Sequence, residues 1–344
     1  MSEPATSVAA SALAPTSRRA AARQRVITLA RHEYRAAVRS RVFLALLAVL
    51  TIATMASVYV GAVDYRSQLA DYQAYRAAAL ASGVPQVAPS PLALLSLLRG
   101  AIEYLEIIGA VIAITLGYLS VSRERSNHTL PLIRSRPVTA GEQALGSVLG
   151  AAALITTIVV ATAVVGVVAL GLIGNDWVNG MQLIKLTLTY LAAIVYMTVF
   201  FCVGAVTTAR AKHPATGLMV ALGIWLVVVL ILPQIGDTLD ADNQVPGGLF
   251  ASLGLGHDGE VAILTRFDTY EKVRTAIEAT SFSKHFERFA FAMIDTKPRY
   301  QALSLRQLLD IKAIEVLWMG AYILGLGALL RRTFRRQPTY TQGA

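Results

Sequence analysis

The chain has 344 residues, 55% of them hydrophobic and only 15% charged, with Lys+Arg 31 against Asp+Glu 21 and a formal net charge of +10. Soluble domains carry roughly 25% charged residues, so a soluble globular enzyme and a disordered chain are both excluded. A single cysteine, Cys202, excludes an intramolecular disulfide framework and a cysteine metal cluster.

The positive charge could serve nucleic acid, but this hydrophobicity assigns it to a membrane surface and leaves no nucleic-acid partner. Met1–Ala22 has no central apolar run and carries its arginines late, at Arg18 and Arg19, so no signal peptide is expected. Residues 1–24 are expected to form a disordered cytoplasmic tail. Residues 25–41 read as an amphipathic elbow helix. At 100° per residue, Val26, Ile27, Ala30, Tyr34, Ala37 and Val38 share one face, and Arg25, Arg31, Arg35 and Arg39 share the other. That pattern fits a helix lying in the headgroup plane; a helix packed on a soluble partner is the alternative.

A bilayer core about 30 Å thick needs about 20 apolar helical residues. Six stretches qualify: Val42–Val63, a segment beginning near Arg99 and uncharged from Ile107 to Val121, and stretches within Ala144–Ile173, Leu186–Ala209, Pro214–Ile235 and Lys312–Leu330. Unpaired backbone is forbidden in lipid, so these are helices, and no alternating pattern suggests a barrel. The fold class expected is an all-α polytopic membrane protein. Residues 42–235 hold spans one to five, residues 312–330 hold span six, and residues 331–344 form a basic tail.

The connections differ in character. Tyr65–Ala81 is helix-prone until Gly83, Pro85, Pro89 and Pro91 break it. Arg99 and Glu103 can pair along a helical face, with Glu106 close by. These three residues either mark the mouth of a transport pathway or sit at headgroup depth. Lys312 and Glu315 leave the same choice open. Residues 236–311 open on a Gly/Pro-rich stretch. Helical spacing follows in Gly259–Met293, with Phe282, Phe286, Phe289 and Met293 at three- and four-residue intervals. A small helical cap outside the membrane is expected, its aromatics forming its own core rather than a ligand surface. His257, Asp258 and Glu260 read as a solvated turn rather than a metal site. His32, His128, His213 and His285 have no ligand spacing.

Arginine placement sets the orientation. Arg18–Arg41, the loop bearing Arg123, Arg125, Arg134 and Arg136, the Arg210–Lys212 turn and Arg331–Arg336 fall on one side of an even number of spans. The positive-inside rule puts both termini in the cytoplasm, while the long 236–311 segment is largely exempt and stays external. No GxxxxGK[ST], HExxH or GxSxG occurs, so neither nucleotide hydrolysis by a phosphate loop nor these protease and hydrolase chemistries is expected of this chain.

The most specific segment is the cytoplasmic loop at 122–146. It has a helical start, an apolar tip at Leu130, Leu132 and Ile133, and a turn at Pro137, which disfavours helix at Arg136. Thr139 and Glu142 have capping-box spacing at the next helix. A rigid, apolar-tipped excursion suits docking into another protein's groove.

This segment resembles the coupling region of type-2 ABC exporter permeases: Glu124, Thr129, Leu130, Ser135, Pro137, Val138, Thr139, Leu145 and Gly146 fit that pattern. Glu33, Arg39, Ser40 and Phe43 fit the family's elbow helix. The departures are His128 for the usual Gly, Ala140-Gly141 near the usual Arg, and Ser147 for the usual Lys. The likeness covers residues 25–235, and within the family it runs toward permeases of nitrous-oxide-reductase maturation and gliding-type complexes. It implies an inner-membrane transport subunit with no cofactor of its own, driven by a separate cytoplasmic ATPase dimer that binds ATP and magnesium. It also implies a second permease chain, identical or related. A further partner could meet the external 236–311 segment. The coupling residues it implies are Glu124, Thr129, Leu130, Leu132, Ile133, Pro137, Thr139 and Glu142, with Arg31, Glu33, Arg35 and Arg39 on the elbow. Two rivals stand beside it: a non-transporting scaffold, and an intramembrane enzyme built on Glu103 and Glu106.

Overall fold

The structure is a computed structural model describing residues 15–82, 93–126, 138–173, 177–239, 253–254, 257–296, 298–301 and 303–336. Those residues form helices, and six of the helices are long and apolar enough to cross a membrane. The order is α1 (Pro15–Val38), α2 (Arg41–Ser82), a 3-10 turn (Leu94–Leu98), α3 (Arg99–Ser126), α4 (Ala140–Ile173), α5 (Gly180–Arg210) and α6 (Pro214–Trp225). Span five continues from α6 through a π-helical stretch (Leu226–Ile231) into α7 (Leu232–Leu239). Then come α8 (His257–Leu264), α9 (Asp268–Thr280), α10 (Phe282–Met293), α11 (Pro298–Gln301), α12 (Leu305–Ile311) and α13 (Ala313–Arg336).

Spans two and four form the centre. They bury the largest side chains, including Tyr196, Phe200 and Phe201 of α5 and Ile102, Ile112 and Ile114 of α3. Spans one, five and six leave most of their surface bare, as lipid-facing helices do when tails are as apolar as leucine.

Three features go beyond the expected boundaries. The first span and the helix-prone stretch after it are one continuous helix of 42 residues. At 1.5 Å per residue α2 measures about 63 Å, twice the bilayer core. It ends at Ser82, directly before the predicted breakers, which lie outside the described residues. Second, α3 begins at Arg99, as expected, but is preceded by the Leu94–Leu98 turn, whose four leucines are all buried. Third, span five changes winding at Leu226–Ile231. Pro233 has no amide to give the carbonyl four residues back, and its ring crowds that carbonyl; a locally wider turn accommodates both effects.

The long segment after span five is helical, as expected, but it does not stand clear of the bundle. Helix α9 packs along α7, where Glu278 lies against Gly236. Ser281 donates its hydroxyl to the Val228 carbonyl at 2.7 Å, midway along span five. Helix α10 then runs back between α5 and α13, and Lys185, near the start of α5, meets Asp295 just past its end. The α9–α10 pair is therefore a hairpin inserted into one half of the bundle. Its aromatics belong to the shared core rather than to a separate one. Phe282 and Phe286 stack on Tyr196 with centroids 5.3 and 4.6 Å apart, and Phe282 also meets Tyr322 at 4.8 Å. Periodicity identified the buried face of α10; only the three-dimensional arrangement says what covers it.

Candidate functional site

Two polar assemblies stand out, one at each end of the bundle. At the arginine-rich end, α1 runs lengthwise along α4. Successive contacts pair Arg25 with Glu142, Leu29 with Gly146, Ala30 and Glu33 with Gly150, and Tyr34 with Thr157. Gly146 and Gly150 form a notch four residues apart. A Cβ at Gly150 would come within 2.7 Å of the Ala30 carbonyl oxygen. Small residues at this spacing let helix backbones approach closely. Of the elbow's apolar face, Val26 and Ala37 are buried and Ile27 is exposed, as are Arg31, Arg35 and Arg39.

Charge fixes the corner. The Arg25 guanidinium donates to Glu142 at 2.6 Å. The same carboxylate accepts the Thr139 amide at 2.8 Å, and the Thr139 hydroxyl accepts the Glu142 amide at 3.2 Å. The capping box read from spacing is present, and its carboxylate also ties down α1. Arg123 donates to Glu33 at 2.9 Å, and Gln143 donates to Glu124 at 3.2 Å. Arg125 donates to the carbonyls of Ala209 and Ala211 at 2.6 and 2.9 Å, groups left without helical partners at the end of α5. Arg210 donates to Thr333 at 3.2 Å. One end of α1, α3, α4, α5 and α13 is thus joined by side chains.

Burial pushes the Glu33 carboxyl above the ordinary glutamate range, and the nearby Arg123 only partly offsets it. A raised folded value means that this contribution to stability is complete below the ordinary glutamate value. It is lost as pH rises through the raised one. Thermal melts of purified Glu33→Gln protein are expected to decline less than wild type as pH rises above the ordinary glutamate value. Parallel curves would remove Glu33 from the pH dependence.

At the opposite end, charges surround the inserted hairpin. The buried Glu106 carboxylate accepts a hydrogen bond from Ser283, and its backbone carbonyl accepts the Tyr196 hydroxyl at 3.0 Å. Lys284 donates to Asp237 at 2.9 Å and pairs with Glu287 at 2.8 Å. His285 faces Glu315 at 2.7 Å, and Glu278 receives Arg274 and Arg288. Lys185 reaches both oxygens of Asp295 at 2.8 Å. Glu103 behaves differently from Glu106: it is half-buried and pairs with the exposed Arg99 at 2.8 Å, while Arg99 lies 5.2 Å from the centre of the Phe291 ring. The two glutamates thus do not converge. Among the described residues no cluster of metal-binding side chains occurs.

Residues 27–337 match the model of a family described as ABC-2 family transporter protein. The chain belongs to that family. No curated protein sequence matches it. The protein is a multi-pass membrane permease of an ABC transporter, and membership implies an ABC ATPase as partner.

In this permease the elbow residue Glu33 and the loop-flanking residues Glu124, Thr139 and Glu142 come together at the α1–α3–α4 corner. Thr129, Leu130, Leu132, Ile133 and Pro137 lie outside the described residues. So do the side chains of His257, Asp258 and Glu260, although His257 opens α8. Pattern reading of the permease missed Arg25 as a structural residue, together with Arg123, Arg125, Gln143, Ser283 and the Lys185–Asp295 pair. The Gly146/Gly150 spacing was the available signal for the elbow contact. Nothing in the sequence joins Arg25 to Glu142 across 117 positions.

Proposed function

We propose that this permease exports its substrate using ATP hydrolysed by a dimeric ATPase docked in the cytoplasm at the arginine-rich end. Both termini lie on that side, and two permease chains, identical or related, line the pathway between them. The ATPase holds the 122–146 loop and the elbow helix, and nucleotide-driven closure moves them as one piece, since docked rigid elements transmit discrete motions. The supporting observation is the double use of Glu142, which caps α4 and fixes α1. A push on the elbow then reaches spans two and three without slack. The α9–α10 hairpin stands at the exit, with Glu106 holding its inner tip.

The test is aspartate at both Leu132 and Ile133, with the protein reconstituted beside its ATPase. Membrane insertion is expected to persist while stimulated ATP hydrolysis falls at least tenfold, the effect of losing roughly 1.4 kcal/mol of docking energy or more. Stimulation at the wild-type level would show that the ATPase docks elsewhere. Tagged permease is also expected to co-purify an ATPase bearing a phosphate loop.

A further inference from the structure

A cavity of about 640 Å³ opens between α5, α6 and α13, reaching from the inserted hairpin to Arg210 of the arginine-rich assembly. Its size falls within the roughly 300–1,000 Å³ of ligand sites. Its wall is apolar, with Val203, Ile224 and Leu326 from the three helices. The rings of Phe282 and Tyr322 close it at mid-bundle, and Arg210 stands at the other end. From Val199 to Arg210 along α5 the cavity runs about 16 Å, close to half of a hydrocarbon core about 30 Å thick. The shape is that of one leaflet's depth of hydrocarbon with a cation at the headgroup level.

The cation has spare capacity. Arg210 donates through Nε to Thr333. Among the described residues no carboxylate pairs with Arg210 or Lys212. Arginine offers a planar fork suited to phosphate, and basic residues at a membrane surface attract anionic lipid.

We propose that this cavity binds one anionic phospholipid from the leaflet on the arginine-rich side. One acyl chain fills the space between α5, α6 and α13, and the phosphate rests on Arg210. The bound lipid wedges span five against span six and ties their separation to the composition of that leaflet. The inference rests on the membrane-spanning assignment and is independent of where the ATPase docks.

The probes are phosphatidylglycerol and phosphatidylcholine with identical chains, titrated into the purified full-length permease and read by native mass spectrometry. Wild type is expected to retain phosphatidylglycerol about fivefold better, the effect of one cation on anionic lipid. Arg210→Gln is expected to abolish that preference and Arg210→Lys to keep it. Val203→Trp is expected to lose retention of both lipids. Equal retention of the two lipids by wild type, or a preference that survives Arg210→Gln, overturns the proposal. Disulfide formation between two copies through Val220→Cys at the cavity rim would assign the space to a second permease chain and overturn it as well.

Discussion

Gly204→Val is expected to give a permease that reaches the membrane but elutes as a broad aggregate and melts well below wild type. The crossing of α3 and α5 explains the size of the effect. A Cβ at Gly204 would strike the carbonyl oxygen of Ile114, and a Cβ at Gly117 would strike that of Phe201 and the Ala205 amide nitrogen. Each glycine faces the other helix's backbone, so no side chain can rotate aside. The crossing lies beside Phe200, Phe201 and Cys202, in the most buried part of the protein. Packed interiors do not deform smoothly, and methylenes added to a well-packed core cost about 1–3 kcal/mol even when side chains give way. Gly204→Ala already introduces that clash and is expected to cost at least this much, and Gly204→Val more. Gly109→Ala is the internal control. Its Cβ would meet only the flexible Met197 side chain, at 3.3 Å, and a near-neutral result is expected. A Gly204→Val protein with wild-type elution and melting would remove backbone contact as the cause.

The same glycines show what pattern reading captures. Composition and run length locate the six spans because lipid imposes one demand on every spanning residue, and each segment answers it alone. Thr139 and Glu142 were legible for the same reason: a capping box closes within four residues. The lengthwise seat of α1 was not legible. An apolar stripe such as Val26, Ala30 and Ala37 satisfies lipid and protein equally, and the choice depended on the Gly146/Gly150 notch more than a hundred residues away. The inserted hairpin was hidden in a similar way. Phe282, Phe286 and Phe289 at helical spacing announce a buried face, but only Tyr196 and Tyr322 beside them say that the burial is within the bundle. Glu103 and Glu106 read alike in sequence. They were separated by a 3-residue step around α3, which turned one to solvent with Arg99 and the other onto Ser283.

Lys185→Met is expected to destabilise the permease by about 3–5 kcal/mol, the cost of leaving one member of a buried ion pair without its partner. Lys185 and Asp295 retain only 8% and 11% side-chain exposure, and the ammonium contacts both carboxylate oxygens. Asp295 is also held by its backbone. It takes φ of 57° where α10 ends, the Thr296 amide reaches back to the Phe291 carbonyl at 3.2 Å, and the Asp295 amide reaches Ala292 at 3.4 Å. That is a helix stop with a left-handed residue, a conformation in which aspartate and asparagine cost less than other side chains. Asp295→Asn therefore removes the charge with little backbone penalty, whereas Asp295→Ala loses both advantages and is expected to melt lower still. The double variant Lys185→Met with Asp295→Asn is expected to recover most of the loss, since no lone charge remains buried. By contrast Arg99→Ala, which breaks an exposed pair, is expected to change stability by less than about 1 kcal/mol. The pair also pins the end of α10 to α5, so its loss should free the hairpin before the spans separate. A cysteine at the fully buried Ala290 reports this directly. In a wild-type background it is expected to resist a membrane-impermeant maleimide, and with Lys185→Met it is expected to react several-fold faster. A Lys185→Met protein whose melting point and Ala290→Cys labelling both match wild type would mean that the packing of Phe282, Phe286 and Phe289 alone holds the hairpin in place.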